Sequence, residues 1–238
     1  MVHAVYSSEQ YAQSYDAVGQ DYVLSEKTAS EQLAPRFNRL ESYLPNKGRL
    51  LDIGASRGVF LKLAALEGWT IFGLEAGLDT IAYAKSHYGI TIEHGTLEET
   101  TLPNGFYDCV HLSHVLEHLH DPLESIRRIG GSIRPGGVLI VEVPFEFGDF
   151  FDRFREVVLR RARAVNVVPS SHLTFFTIKS LCMLLEKSGF DVLYAATPRR
   201  NKSFESALPM GRILKRFVYG MEQFLKMGPL IEVFARKK

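Results

Sequence analysis

Leu50-Leu51-Asp52-Ile53-Gly54-Ala55-Ser56-Arg57-Gly58-Val59-Phe60 decides the fold. Apolar residues run into Asp52, two glycines sit four apart at Gly54 and Gly58, and a helix-like pattern follows. The next apolar run, Thr70-Ile71-Phe72-Gly73-Leu74, ends in Glu75, 21 residues after Gly54. A strand, a glycine turn, a helix and a second strand closed by an acid build a pocket for a nucleoside. The glycines let backbone approach the ligand, and the acid accepts hydrogen bonds from ribose hydroxyls. The G-x-G-x-x-G spacing of a dinucleotide-binding dehydrogenase loop is absent.

Outward from this unit, strands and helices alternate. Strand-like runs cover 49–53, 69–74, 90–93, 106–112, 137–143, 190–196 and 229–235. Helix-like runs cover 28–44, 57–67, 77–88, 121–133 and 177–188. This rhythm predicts a parallel sheet with helices on both faces. Runs such as Leu139-Ile140-Val141-Glu142-Val143 are apolar nearly throughout, as a doubly covered sheet requires. The chain is expected to be one domain over 1–238, with an amino-terminal helical cap at 1–46. Two insertions after strands, 144–171 and 198–228, are expected to form lids. The first holds Phe145, Phe147, Phe150, Phe151 and Phe154 and then a run of arginines.

Apolar content of 46% with 23% charged residues is that of a globular protein. No 18-residue apolar run and no leader-like segment are visible, so no membrane span and a cytoplasmic location are expected. Cys109 and Cys182 lie far apart in apolar stretches, as buried thiols in a reducing compartment do. Charge is unevenly divided. Residues 1–149 carry 11 basic and 20 acidic side chains, and residues 150–238 carry 17 and 7. The basic half either pairs with the acidic half or faces an anionic substrate or surface.

Seven ordered motifs carry a resemblance. They are Leu-Leu-Asp-Ile-Gly-Ala-Ser-Arg-Gly (50–58), Gly-Leu-Glu-Ala (73–76), Gly-Thr-Leu-Glu-Glu (95–99), the run from Tyr107 to Pro122 containing Glu117-His118, Ile-Arg-Pro-Gly-Gly-Val-Leu-Ile-Val (133–141), His-Leu-Thr-Phe-Phe-Thr (172–177) and Leu-Leu-Glu-Lys-Ser-Gly-Phe (184–190). The chain resembles class I S-adenosylmethionine-dependent methyltransferases, of the bacterial small-molecule type related to ubiquinone-pathway O-methyltransferases. The resemblance implies an α/β, Rossmann-like sheet of seven strands, mostly parallel, with the last strand antiparallel. Ser56 stands where the family's loop usually has the middle one of three alternating glycines.

The resemblance also implies roles. Asp52 orients the loop and receives hydrogen bonds near the methionine amine of S-adenosylmethionine. Gly54, Ala55, Ser56 and Gly58 pass under the cofactor, which leaves as S-adenosylhomocysteine. Glu75, followed by Ala76, holds the ribose hydroxyls. Thr96 and Leu97 flank the adenine, and Leu112 and Ser113 line the methionine end. Tyr15 or Tyr22 closes over that end from the cap. Methyl transfer needs an in-line acceptor, exclusion of water and removal of a proton. Histidine suits that proton transfer near neutral pH. His172 is the first candidate base and His114 the second; alternatively, His172 caps the helix that follows or bonds backbone.

His114-Val115-Leu116-Glu117-His118 also matches H-x-x-E-H, an inverted zinc-protease signature that needs both histidines on one helix face. The order of the surrounding motifs argues against a protease. No metal is expected, with a divalent ion at His114, Glu117 and His118 as the weaker alternative. The expected acceptor is a small molecule with an apolar or anionic handle, methylated at a hydroxyl. N- or C-methylation of a sugar or natural product, and a non-catalytic S-adenosylmethionine-binding protein, are the alternatives. Contact with an acidic membrane surface is a weaker expectation, nucleic acid is disfavoured by the near-zero overall charge, and monomer and homodimer both stay open.

Overall fold

Four buried residues in succession, Leu50, Leu51, Asp52 and Ile53, place β1 (Arg49–Ile53) inside the sheet rather than at its rim. The computed structural model describes residues 26–145, 172–198, 220 and 228–238. Tyr15, Tyr22, most of the expected cap and nearly all of both expected lids lie outside the described residues.

Helix α1 (Glu26–Tyr43) precedes β1, and the elements then alternate. They are α2 (Val59–Leu66), β2 (Thr70–Glu75), α3 (Leu78–Tyr88), β3 (Glu93–His94), β4 (Tyr107–Ser113), a 3₁₀ turn (Leu116–His118), α4 (Pro122–Ser132), β5 (Ile133–Pro144), α5 (Ile178–Lys187), β6 (Phe190–Ala196) and β7 (Leu230–Lys237). The strands form one seven-stranded sheet in the order β3-β2-β1-β4-β5-β7-β6. β1 pairs with β2 and β2 with β3 in parallel, whereas β7 runs antiparallel to β6. This is the expected mixed sheet with its last strand reversed.

The residue contacts fall into two units. The first holds described residues 26–111 and 131–138, and the second holds 112–130, 139–145, 172–198 and 228–238. In the first, the core is built by Leu40, Leu50, Leu61, Ala64, Leu74 and Ala84, and Phe37 of α1 stacks on Phe60 of α2 at 5.1 Å. In the second, Leu116, Ile126, Leu139, Leu181, Phe190 and Phe234 are buried. Helix α5 starts at a capping box, in which the Thr177 hydroxyl accepts from the Ser180 N–H and the Ser180 hydroxyl accepts from the Thr177 N–H. Thr177, not His172, therefore caps that helix. Among the described residues no helix is long and apolar enough to cross a membrane.

Candidate functional site

At the end of β1 the chain turns sharply. Gly54 and Gly58 have φ of 73° and 75°, the left-handed region that glycine tolerates best. Gly58 also lies against α3, where an added Cβ would come within 3.1 Å of the Ala84 methyl. Ser56, with φ of 47°, adopts a left-handed backbone without being glycine.

Four of the loop's N–H groups are already bonded. Gly54 and Ala55 donate to the Leu74 carbonyl at 2.9 and 3.1 Å, and Gly58 donates to the Ala55 carbonyl at 2.9 Å. Ser56 donates its N–H to Glu75 Oε2 at 2.7 Å, while Glu75 Oε1 accepts the Gly77 N–H at 2.8 Å. Glu75 thus clamps the glycine loop to the start of α3. The Gly95 N–H donates to the Glu75 carbonyl at 2.9 Å, which brings the loop after β3 to the same strand end. There Leu97 is buried and the Thr96 hydroxyl donates to Glu99. The Ala76 carbonyl lies 3.1 Å from His94 Nε2.

This arrangement differs from a phosphate-binding loop in hydrogen-bond sign. A phosphate-binding loop offers unpaired N–H groups at a helix start. Here four such groups are occupied, and an acid stands at the loop. A carboxylate has about four lone-pair sites, so two backbone bonds leave Glu75 capacity for hydroxyl donors. Glu75, expected from the sequence to accept from a ribose, is in the structure the clamp of its own loop.

Asp52 is 3 % exposed, and its Oδ1 lies 2.6 Å from His111 Nδ1 on β4. His111 Nε2 lies 2.6 Å from Arg36 Nη1 on α1. Neither Arg36 nor His111 stood among the expected site residues. The legible signal was an arginine at helical spacing within the Leu33–Phe37–Leu40 stripe, where a core side chain belongs.

A separate group of side chains lies in the second unit. Leu112 is fully buried, and the Ser113 hydroxyl donates to Glu142 Oε1 at 3.0 Å. His114 follows with φ of 56°, its N–H bonded to the Glu142 carbonyl at 2.9 Å. That left-handed residue stops helix formation, so His114 and His118 do not share an α-helical face as the protease signature requires. His118 instead ends the 3₁₀ turn. The Leu173 and Thr174 N–H groups both donate to the Glu117 carbonyl, at 2.8 and 3.1 Å, and bring His172 beside the turn. The His172 and His118 rings meet edge to face at 4.8 Å.

Glu117, His118 and His172 each present a ligand atom within 4.8 Å of the others. The Glu117 side chain is 1 % exposed, and neither carboxylate oxygen has a hydrogen-bond partner. Its nearest cationic candidates are His114 Nδ1 at 3.5 Å and His118 Nε2 at 3.9 Å. A buried carboxylate without hydrogen bonds is costly unless a nearby positive charge compensates it. One carboxylate and two imidazoles are a donor set that suits a zinc-like divalent ion better than magnesium. The residues therefore fit a metal, with His172 in the place that the sequence reading had given to His114.

The "Methyltransferase domain" family matches residues 25–195. A ubiquinone biosynthesis O-methyltransferase of Vibrio parahaemolyticus is 34% identical over 95 residues, 37% of this chain and 40% of that protein. The chain thus spans about two fifths of the curated relatives it matches. A S-adenosylmethionine-dependent methyltransferase structure from Archaeoglobus fulgidus superposes with a TM-score of 0.63 at 21% identity, covering 94% of this chain and 99% of that one. A Haemonchus contortus phosphoethanolamine N-methyltransferase bound to S-adenosyl-L-methionine gives 0.58 at 16% identity, covering 89% and 56%. With the strand order, the reversed last strand and the loop of residues 54–58, the family match establishes that the chain belongs to the methyltransferase domain family.

Proposed function

We propose that this chain transfers the methyl group of S-adenosylmethionine to a hydroxyl oxygen of a small-molecule acceptor. The observation that carries the cofactor assignment is the Glu75 clamp, which keeps acceptor capacity for a ribose while its loop offers no free N–H for phosphate at Gly54, Ala55, Ser56 or Gly58. Bound S-adenosylmethionine supplies an activated methyl on a sulfonium. The chain's own work is to bind and orient. Glu75 takes the ribose hydroxyls, Thr96 and Leu97 flank the adenine, and Asp52 and Ser56 serve the methionine end. Leu112 and Ser113 line the approach to the methyl. Tyr15 or Tyr22 excludes water from that end.

The acceptor proton goes to His172, or to His114 if His172 is not the base. Both imidazoles stand beside the buried Glu117, which stabilises the imidazolium formed by proton uptake. The composition of 144–171 and 198–228 supports this acceptor class: their arginines and lysines suit an anionic handle, and their phenylalanines an apolar body. The test is calorimetric titration with S-adenosylmethionine and S-adenosylhomocysteine, followed by turnover on hydroxyl acceptors. Binding of both with transfer to oxygen is expected. No binding of either overturns the proposal, and transfer to nitrogen or carbon alone replaces its acceptor assignment.

The buried Glu117 carboxylate, which accepts no hydrogen bond, favours a second reading, in which His172 is a ligand rather than a base. One imidazole nitrogen cannot hold a metal and a substrate proton together. Glu117, His118 and His172 would hold a divalent ion, which would acidify the acceptor hydroxyl. In that case His118→Ala and EDTA both abolish turnover, and zinc or manganese restores it to the chelated wild type. Full activity in EDTA, with no metal in the purified protein by mass spectrometry, sinks this second reading.

A further inference from the structure

Arg36 is 1 % exposed, and a guanidinium cannot shed its charge on burial. It needs an acceptor, and His111 Nε2 stands 2.6 Å from its Nη1. A guanidinium only donates, so Nε2 must carry the lone pair. The ring proton then sits on Nδ1, where it is donated to Asp52 Oδ1 at 2.6 Å. Every link runs in one direction, from Arg36 through a neutral His111 to the Asp52 carboxylate. The imidazole plane is held as well. Phe60 stacks on it with centroids 3.7 Å apart and planes 17° apart, and Phe37, next to Arg36, stacks on Phe60. With the other tautomer, the Nδ1 lone pair would face a carboxylate and the Nε2 proton would face the guanidinium. Both contacts would repel.

We propose that Arg36 and His111 are positioning residues for Asp52, so that seating of helix α1 and binding of S-adenosylmethionine are thermodynamically linked. The inference rests on the reading that Asp52 serves the cofactor. Helix α1 carries the guanidinium that selects the tautomer, the tautomer fixes the Asp52 carboxylate, and Asp52 leads into the glycine loop. A ligand that needs Asp52 in that orientation then favours the seated helix, and loss of the seating contact weakens the ligand by the same factor.

Three measurements test this. In the wild type, long-range ¹H–¹⁵N correlation should show His111 neutral and protonated at Nδ1. Hydrogen exchange should show greater protection of α1 amides when S-adenosylhomocysteine is added. Arg36→Met should raise the dissociation constant for S-adenosylhomocysteine about tenfold and abolish the ligand's effect on α1, the loss expected for one charge-assisted bond. Arg36→Lys, which keeps a donor, should recover part of both. A wild type that binds ligand without protecting α1, a His111 protonated at Nε2, or a folded Arg36→Met with unchanged affinity each overturns the relay alone. If the variant does not fold, the two wild-type measurements still decide. A wild type that binds neither S-adenosylmethionine nor S-adenosylhomocysteine overturns the relay together with the proposed function.

Discussion

Among the described residues, only Ser56 and His114 have a positive φ without being glycine. Such outliers gather where function constrains the backbone. Ser56 carries the cost of a side chain in a left-handed conformation, about 1–2 kcal/mol, and glycine would lose part of that gain to unfolded-state entropy. Ser56→Gly is therefore expected to raise unfolding free energy by about 1 kcal/mol, read from urea denaturation; a loss of stability would contradict it. Glu75 is the opposite case. Glu75→Ala would leave the Ser56 and Gly77 N–H groups without their acceptor, and with it the proposed ribose acceptor would be lost. S-adenosylmethionine affinity should fall ten- to hundredfold by calorimetry, on the basis of roughly 1.5–3 kcal/mol per bond to a charged group. Glu75→Gln, retaining one oxygen acceptor, should lose less.

Between elements, Asp108 ties the start of β4 to β1 and β5. Its Oδ2 accepts the Arg49 N–H at 2.7 Å, and its Oδ1 accepts from Arg134 Nε. Burial alone would raise its pKa, but the Arg134 hydrogen bond, the Arg49 N–H and the charges of both arginines outweigh burial and lower it. A carboxyl with a lowered folded-state pKa stabilises the fold above the ordinary carboxylate pKa. That contribution is lost as pH falls through the lowered value. Asp108→Asn should therefore cost about 1–3 kcal/mol at pH 7, and the gap to wild type should close below about pH 4 in denaturation curves. A constant gap would mean that the carboxylate charge is not what stabilises the clip.

Where one residue pattern decided an element, the sequence was legible: β1 and β6 match to the residue, and β2 and β4 are displaced by one. Where a local signal met tertiary context, it was not. The sequence pattern starts β5 only at Gly137, after a helix to 133, yet the strand runs from Ile133 through Pro135-Gly136. Glycine is required there by crowding, since a Cβ on Gly137 would stand 2.8 Å from the Asp108 carbonyl. β3 shrinks to two residues because Ile90 and Ile92 bury without pairing in the strand. The histidine signature failed as a helix because sequence spacing cannot report the left-handed backbone at His114. The Arg36–His111–Asp52 chain joins residues 75 and 59 positions apart, which no local pattern encodes.

For the molecule as a whole, a ligand that binds only the native state adds stability in proportion to the logarithm of its saturation. At 100 times its dissociation constant, S-adenosylhomocysteine should add about 2.7 kcal/mol. For a chain of this length that raises the melting temperature by roughly 5–10 °C in a thermal-shift assay. Absence of a shift at saturating ligand would remove the cofactor assignment from the protein. The bonded-up loop of residues 54–58 has a further consequence for life in a crowded metabolite pool. Adenosine is common currency among abundant nucleotides, and shape recognition of the base and sugar alone would admit them all. A loop whose backbone donors at Gly54, Ala55, Ser56 and Gly58 are satisfied from within, beside a carboxylate, gives a polyphosphate little backbone to replace its lost hydration, while a cationic sulfonium carries no such burden. Selectivity against competitors at this loop is thus a matter of what the backbone withholds.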